Sequence, residues 1–331
     1  YRDMAKVLGE QEFSTVSLVA EEIDHELEVR LKALEIVAAE ITPAILSNTA
    51  SIQTLIEQRP ILSKLFSSGV LATRLDGKVI ADTELSLGRI GIDYGDGEWM
   101  TKVLKGQSTI GEPIVCEKQK LPVFAIAVPI RDAREAKDKV IGVLWGWIDL
   151  EQKNFLTEIM KNSYGKTGGY LLTAPQHKLF VTATDKKRMM TRIPNPGVNP
   201  LFDRYMEGFE GYGRAINSLG VEELTASKRI PTAGWFLIVK ISVTEVFAPI
   251  RSMEKSGLYA TLFLTFLMGG LIWWLLKREL APIFATIKAM SDLSEKNQFP
   301  AHLSIIKQDE IGELIGGFNR LLEVLGQRTK K

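Results

Sequence analysis

The sequence predicts an α+β protein: a long N-terminal helix carrying two tandem antiparallel-sheet domains, then one membrane-spanning helix and a pair of shorter helices. Three observations predict it. Apolar residues recur at spacings of three and four through residues 13–48, short β-like runs follow in an order that repeats once, and an unbroken apolar stretch fills residues 257–276. At 331 residues the chain exceeds one ordinary core. Its 41 basic residues nearly balance 40 acidic ones, so no global field draws nucleic acid or anionic lipid, and no polynucleotide partner is expected. The single cysteine, Cys116, has no internal disulfide partner, and His25, His177 and His302 have no metal-ligand spacing. Neither a metal nor another cofactor is expected.

The first element covers residues 13–48. Val16, Val19, Ile23, Leu27, Leu31, Leu34, Ala38, Ile41 and Ile45 form one stripe. The other face is charged through residues such as Glu21, Asp24, Glu28, Arg30, Lys32 and Glu35, the pattern of one long amphipathic helix. Its stripe suits either packing on its own domain or a dimer seam. Residues 1–60 are assigned to this helical region.

After Pro60 the texture changes. VLATRLDGKVIADT (70–83) reads as a hairpin around Asp76-Gly77. EWMTKVLKG (98–106) is helix-like; TIGEPIVCE (109–117), LPVFAIAVPI (121–130) and KVIGVLWGWIDLE (139–151) are strands, with a charged turn at 132–139. These runs make a first domain over 61–160. A fainter copy over 161–250 has the hairpin GGYLLTAPQHKLFVTAT, a loop at 193–200, the short helix LFDRYMEGF, and the strands EGYGRAINS, EELTASKRIP and WFLIVKISV. A repeat that is itself a whole α+β unit implies two similar domains rather than a solenoid.

Residues 257–276, GLYATLFLTFLMGGLIWWLL, match the helical length that crosses a hydrocarbon layer. Lys255 stands before them, Lys277 and Arg278 after, and Tyr259, Trp273 and Trp274 lie where amphipathic rings favour the interface. A core helix this long ordinarily keeps a polar face, and the position near the C-terminus does not suit a signal peptide. Arg251 and Lys255 offset Lys277 and Arg278, so charge alone leaves the orientation open. With the region before the span outside the cell, an upstream signal anchor is expected to precede Tyr1.

This succession resembles the double Cache sensor family. LFSSGVLATRLDGKVIAD, IGIDYGDGEWMTKVLKGQ, PVFAIAVPI and VIGVLWGWIDL carry the resemblance, and it covers about residues 10–250. It implies a PAS-like membrane-distal domain, a smaller membrane-proximal one, and a helix entering the bilayer. Residues 277–328 resemble a HAMP relay. Pro282 opens a helix with Ile283, Ile287, Met290 and Leu293, a connector runs to about Gln308, and DEIGEL starts a second with Ile311, Leu314, Phe318, Leu321 and Leu325. Such helices cannot bury their seams alone, so a parallel four-helix coiled-coil bundle in a homodimer is expected. HAMP relays are cytoplasmic. The resemblance therefore implies a bacterial inner-membrane receptor with residues 1–256 extracytoplasmic and 277–331 cytoplasmic. It implies a sensing, non-catalytic segment whose output domain turns over cyclic-di-GMP or, failing that, belongs to a histidine kinase or chemoreceptor.

In that family a small ligand lies between the distal sheet, the helix after the first hairpin, and the loop joining them. Carried over, this implicates Trp99, Tyr94 and Asp149. Strand parity places Trp145, Trp147 and Asp149 on one face, and Phe124 of PVFAIAVPI is counted with them. A carboxylate beside two indoles suits a cationic or amine-bearing ligand; otherwise the indoles are core and Asp149 caps the segment after the strand. In amino-acid-binding double Cache domains an arginine two residues before the tryptophan clamps the ligand carboxylate, and here Gly97 stands there. Arg89, Lys118 and Arg131 are the substitutes on offer. An amine or another small metabolite is expected rather than an ordinary amino acid. A tethered enzyme finds no support: GKTGG at 165–169 lacks the preceding strand and spacing of a phosphate loop. A dimerising ectodomain that senses a partner protein without a small ligand is the alternative.

Overall fold

The computed structural model describes residues 2–328 except 97, 117–119, 133, 135–138, 162–164, 218–219, 297–304 and 306–309. Tyr1–Ala248 form one compact unit and Pro249–Lys331 a second.

Helix α1 (Arg2–Glu40) is 39 residues long, beginning earlier than the periodicity indicates and ending sooner. Its end is set by Pro43. A proline disfavours helical geometry in the residue before it, and Thr42 is extended at φ −85 and ψ 162. The Thr42 hydroxyl then accepts from Ile45 N at 3.4 Å and starts α2 (Pro43–Ser47). Asn48 Oδ1 accepts from Ala50 N and Ser51 N to start α3 (Thr49–Glu57), and α4 (Pro60–Leu65) follows.

Of the stripe, Val16, Ile23, Leu27, Leu34, Ala38 and Ile41 are buried, with Val19, Leu31 and Ile45 packed beside them. The chain's own sheets use it. Arg30, placed by periodicity on the charged face, is instead buried. It pairs with Glu26, donates from Nε to Leu65 O at 3.0 Å, and lies 3.9 Å from the centre of the Phe155 ring. Burial pulls its pKa down, partly offset by Glu26.

The first sheet contains β1 (Val70–Arg74), β2 (Val79–Asp82), β3 (Thr109–Ile110), β4 (Ile114–Val115), β5 (Pro122–Asp132) and β6 (Lys139–Asp149), with α5 (Glu98–Leu104) before β3. Its order is β2-β1-β6-β5-β3, with β4 also on β5. The hairpin turns at Asp76-Gly77, where Gly77 has φ +81 and a Cβ would lie 2.4 Å from Gly95 N, so only glycine fits. The run TIGEPIVCE makes two short strands rather than one. Pro113 interrupts it, having no N–H for the ladder.

Helix α6 (Phe155–Ile159), opened by a reciprocal Asn154–Thr157 cap, leads to the second sheet. This sheet contains β7 (Gly169–Ala174), β8 (Leu179–Ala183), β9 (Gly211–Ile216), β10 (Glu222–Ile230) and β11 (Trp235–Ser242), with α7 (Pro200–Met206) before β9. The order β8-β7-β11-β10-β9 repeats that of the first sheet. Helix α1 lies against β5 and β6 and also against β9, β10 and β11. Toward its C-terminal end Glu35 accepts from Ser108 Oγ at 2.8 Å; nearer its middle Asp24 accepts from Thr232 N at 2.9 Å. One continuous core joins the inner faces of both sheets across α1, and Phe124 meets Trp235 edge to face at 5.2 Å. The outer faces carry two separate apolar clusters.

After α8 (Val243–Val246), α9 (Ala248–Lys296) runs for 49 residues. Within it Lys255–Ala281 is long and apolar enough to cross a membrane, and none of that stretch is buried. Pro282, expected to open a new helix, lies inside α9. Helix α10 (Glu310–Arg328) follows; much of the connector expected before it, to Gln308, and Asp309, expected to start the second helix, lie outside the described residues. On α10 Ile315 and Leu322 are buried, while Leu314, Leu321 and Val324 are exposed.

Candidate ligand-binding site

The outer face of the first sheet holds two indoles above small residues. Across the β5–β6 ladder Ala127 pairs with Trp145 and Ala125 with Trp147, so each ring stands beside a methyl group and space remains over the sheet. Helix α5 and the loop before it close that space. The resulting cavity is about 270 Å³, lined by Tyr94, Trp99, Trp145 and Trp147, and by Lys102, Glu112 and His177.

The rings lock one another. Trp99 stands edge-on to Trp145 at 3.9 Å, and Tyr94 to Trp147 at 5.3 Å. Trp145 Nε1 donates to Thr73 Oγ1 at 3.1 Å. Trp147 Nε1 is buried and has no hydrogen-bond partner among the described residues, a donor whose desolvation costs ~1–3 kcal/mol until an acceptor arrives. Burial raises the Tyr94 pKa, so its phenol stays neutral and can donate.

Of the three cations that could substitute for the missing arginine, Arg89 is 1% exposed and already committed. It donates to Asp82 Oδ2 at 2.7 Å, Asp82 Oδ1 at 2.6 Å and Ser68 O at 2.9 Å, and its guanidinium carbon lies 5.3 Å from the Trp147 ring centre. It braces the indole from behind. Arg131 donates to Gly106 O at 2.5 Å. Lys118 and Gly97 lie outside the described residues. Among the described residues the ammonium that lines the cavity is that of Lys102, on α5 one turn beyond Trp99.

Two residues of the expected set stand differently. Asp149 is buried but does not line the cavity. Its Oδ1 accepts from Glu151 N at 2.8 Å and Gln152 N at 3.3 Å, capping the turn that leads to α6. Phe124 borders the cavity from β5, yet its ring packs on Trp235 in the core beneath. The carboxylate at the cavity is Glu112, between β3 and β4, with Oε1 3.5 Å from His177 Nδ1. His177 comes from the turn after β7, in the second repeat. Among the described residues no group of three His, Cys, Asp or Glu side chains could hold a metal ion. Among the described residues the cavity presents aromatic walls, one carboxylate, one ammonium and one unpaired indole N–H, groups of the kind that line small-molecule pockets.

Comparison with curated proteins returns no match. Solved structures share the fold. The ligand-binding domain of the Pseudomonas aeruginosa amino acid chemoreceptor PctB, in complex with L-Arg, is 20% identical with a TM-score of 0.58, covering 73% of this chain and 98% of that one. The P. aeruginosa chemoreceptor PctC domain in complex with GABA is 20% identical with a TM-score of 0.53, over 72% and 99% of the two chains. The sensor domain of the V. cholerae histidine kinase DctB is 13% identical with a TM-score of 0.54, over 72% and 98%. Residues 1–250 match the Cache domain family, and the chain belongs to it.

Proposed function

We propose that this chain is the sensing and signal-transmitting part of a bacterial membrane receptor, and that the cavity on the first sheet binds a small amine-bearing molecule. The observation that supports this is the convergence of four aromatic side chains and Glu112 on one space of about 270 Å³. A protonated amine there gains ion pairing with the carboxylate and cation–π attraction from the indoles. Lys102 and Trp147 Nε1 supply donors for an acceptor elsewhere on the same molecule. Tyr94, Trp99, Trp145 and Trp147 are the contacting residues; Phe124 supports the floor, and Asp149 holds the end of β6. L-Arg and GABA, the ligands in the two P. aeruginosa domains, both carry amines.

Isothermal titration with GABA and putrescine tests the site. Glu112→Gln is expected to weaken binding about tenfold, the loss of one charge-assisted contact at a partly solvated position. Equal affinity in the variant would remove Glu112 from the site. A protein blind to every amine, yet dimeric, would favour an ectodomain that senses a protein partner.

In this reading residues 61–160 hold the ligand with His177 reaching in from 161–250, the membrane-proximal domain; 257–276, within the apolar stretch Lys255–Ala281, cross the bilayer, and 277–328 act as a cytoplasmic HAMP relay. The apolar side chains exposed on α10, Leu314, Leu321 and Val324, support a homodimeric bundle. Cysteine placed at Phe318 is expected to crosslink between subunits in membranes under mild oxidation; monomer alone at this and neighbouring seam positions would contradict the bundle. The output of such a relay is read as cyclic-di-GMP turnover, with a histidine kinase or a chemoreceptor signalling region as the alternatives.

A further inference from the structure

The second sheet carries a cavity in the position equivalent to the first. Both lie on the face turned away from α1, over the last two long strands and beneath the helix that follows the hairpin. The cross-strand pair Ala125–Trp147 of the first sheet has its counterpart in Thr225–Lys240 of the second. The chemistry differs. Aromatic rings and a carboxylate line the first; Arg188, Lys240 and Glu223 supply the charges of the second.

These three charges leave one positive. Glu223 Oε1 accepts from Lys240 Nζ at 3.3 Å and Asn217 Nδ2 at 2.8 Å, so that carboxylate is compensated. The half-buried Arg188 guanidinium lines the same cavity with no ion-pair or hydrogen-bond partner among the described residues. Tyr205 adds no negative charge. Its hydroxyl contacts Thr225 at 3.1 Å, and burial pushes its pKa up to about 12. The remaining wall is apolar, through Leu171, Phe180, Phe202 and Ile238. The volume is about 110 Å³, room for about four water-sized groups at ~30 Å³ each.

We propose that this second cavity is a binding site for a small monocarboxylate of acetate or propionate size. Its carboxylate pairs with Arg188 beside Lys240, and its alkyl end lies on the apolar wall. A planar fork left without an acceptor in a partly desolvated space suits a carboxylate. The apolar wall favours an organic anion, because a fully hydrated inorganic ion would lose water there without replacement. The site is independent of the amine reading: it uses other residues, the opposite charge and the other sheet.

The test is calorimetric titration of the whole 331-residue chain in lipid nanodiscs with propionate, and separately with inorganic phosphate. Saturable propionate binding is expected, with affinity falling about tenfold or more in Arg188→Ala and less in Arg188→Lys, which keeps the charge but loses the fork. Lys240→Met should weaken it as well, by leaving Glu223 uncompensated beside the ligand. Absence of propionate binding, or equal affinity in Arg188→Ala, would overturn the proposal. Phosphate binding as tight as propionate would overturn the organic class and leave a simple anion site.

Discussion

Trp235→Ala is expected to cost ~3–5 kcal/mol, a large share of the ~5–15 kcal/mol that holds a typical domain. The residue starts β11 at 1% exposure, and its ring meets Phe124 of the other sheet at 5.2 Å. Its neighbours in that core come from α1 and both sheets, and a close-packed interior collapses only partly into such a space. The loss should therefore be felt in both repeats at once. Urea unfolding followed in parallel by indole fluorescence and far-ultraviolet dichroism should give one transition, shifted to lower denaturant. Two separated transitions, with only the second repeat weakened, would show that the sheets fold independently despite their common interior.

Asp82→Ala is expected to cost a similar ~3–5 kcal/mol by a different route. Asp82 and Arg89 are fully enclosed, with side-chain exposures of 0% and 1%. Truncating the carboxylate strands a guanidinium that keeps, among the described residues, its hydrogen bond to Ser68 O and its contact with the Trp147 ring, and frees Glu84 N from Asp82 Oδ1. The penalty is mainly that of the uncompensated charge. A double variant, Asp82→Leu with Arg89→Met, removes both charges and should recover much of the loss. Denaturation midpoints of the single and double variants decide it; a double variant as unstable as the single would assign the cost to packing instead. Because Arg89 also lies over Trp147, the single variant should loosen that indole and weaken amine binding in the proposed site.

Much of this architecture is readable from the residues alone because it follows local periodicity. The stripe of α1, the Asp76-Gly77 hairpin, the long strands β5 and β6 and the apolar run inside α9 announce themselves in short windows. The pocket divides along the same line. Trp99, Trp145 and Trp147 come from windows with a clear pattern. Lys102 shares the helical window of Trp99, one turn on; Glu112 and His177 have no such pattern, since Glu112 sits in an interrupted strand beside Pro113 and His177 arrives from the other repeat. Strand parity separates Phe124 from the other ring residues, although it too borders the cavity. Phe124 pairs with Ile148 on the core face, one residue out of phase with Val123 and Ala125, which belong to the outer face. Parity serves Asp149 less well, because that strand ends in a turn whose N–H groups claim the carboxylate first.

The length of α1 has a mechanical consequence. At 1.5 Å per residue it is a rod of about 58 Å, touching the first sheet along one part and the second along another. A rod gripped at two places acts as a lever. A pivot of about 2° near its middle displaces each end by about 1 Å, the amplitude at which packed helices switch between alternative seatings. In the proposed receptor, a movement started by a ligand on the first sheet thus has no need to travel residue by residue through the second. It can arrive at the far end of the rod as a displacement, already scaled to what a helix interface can register.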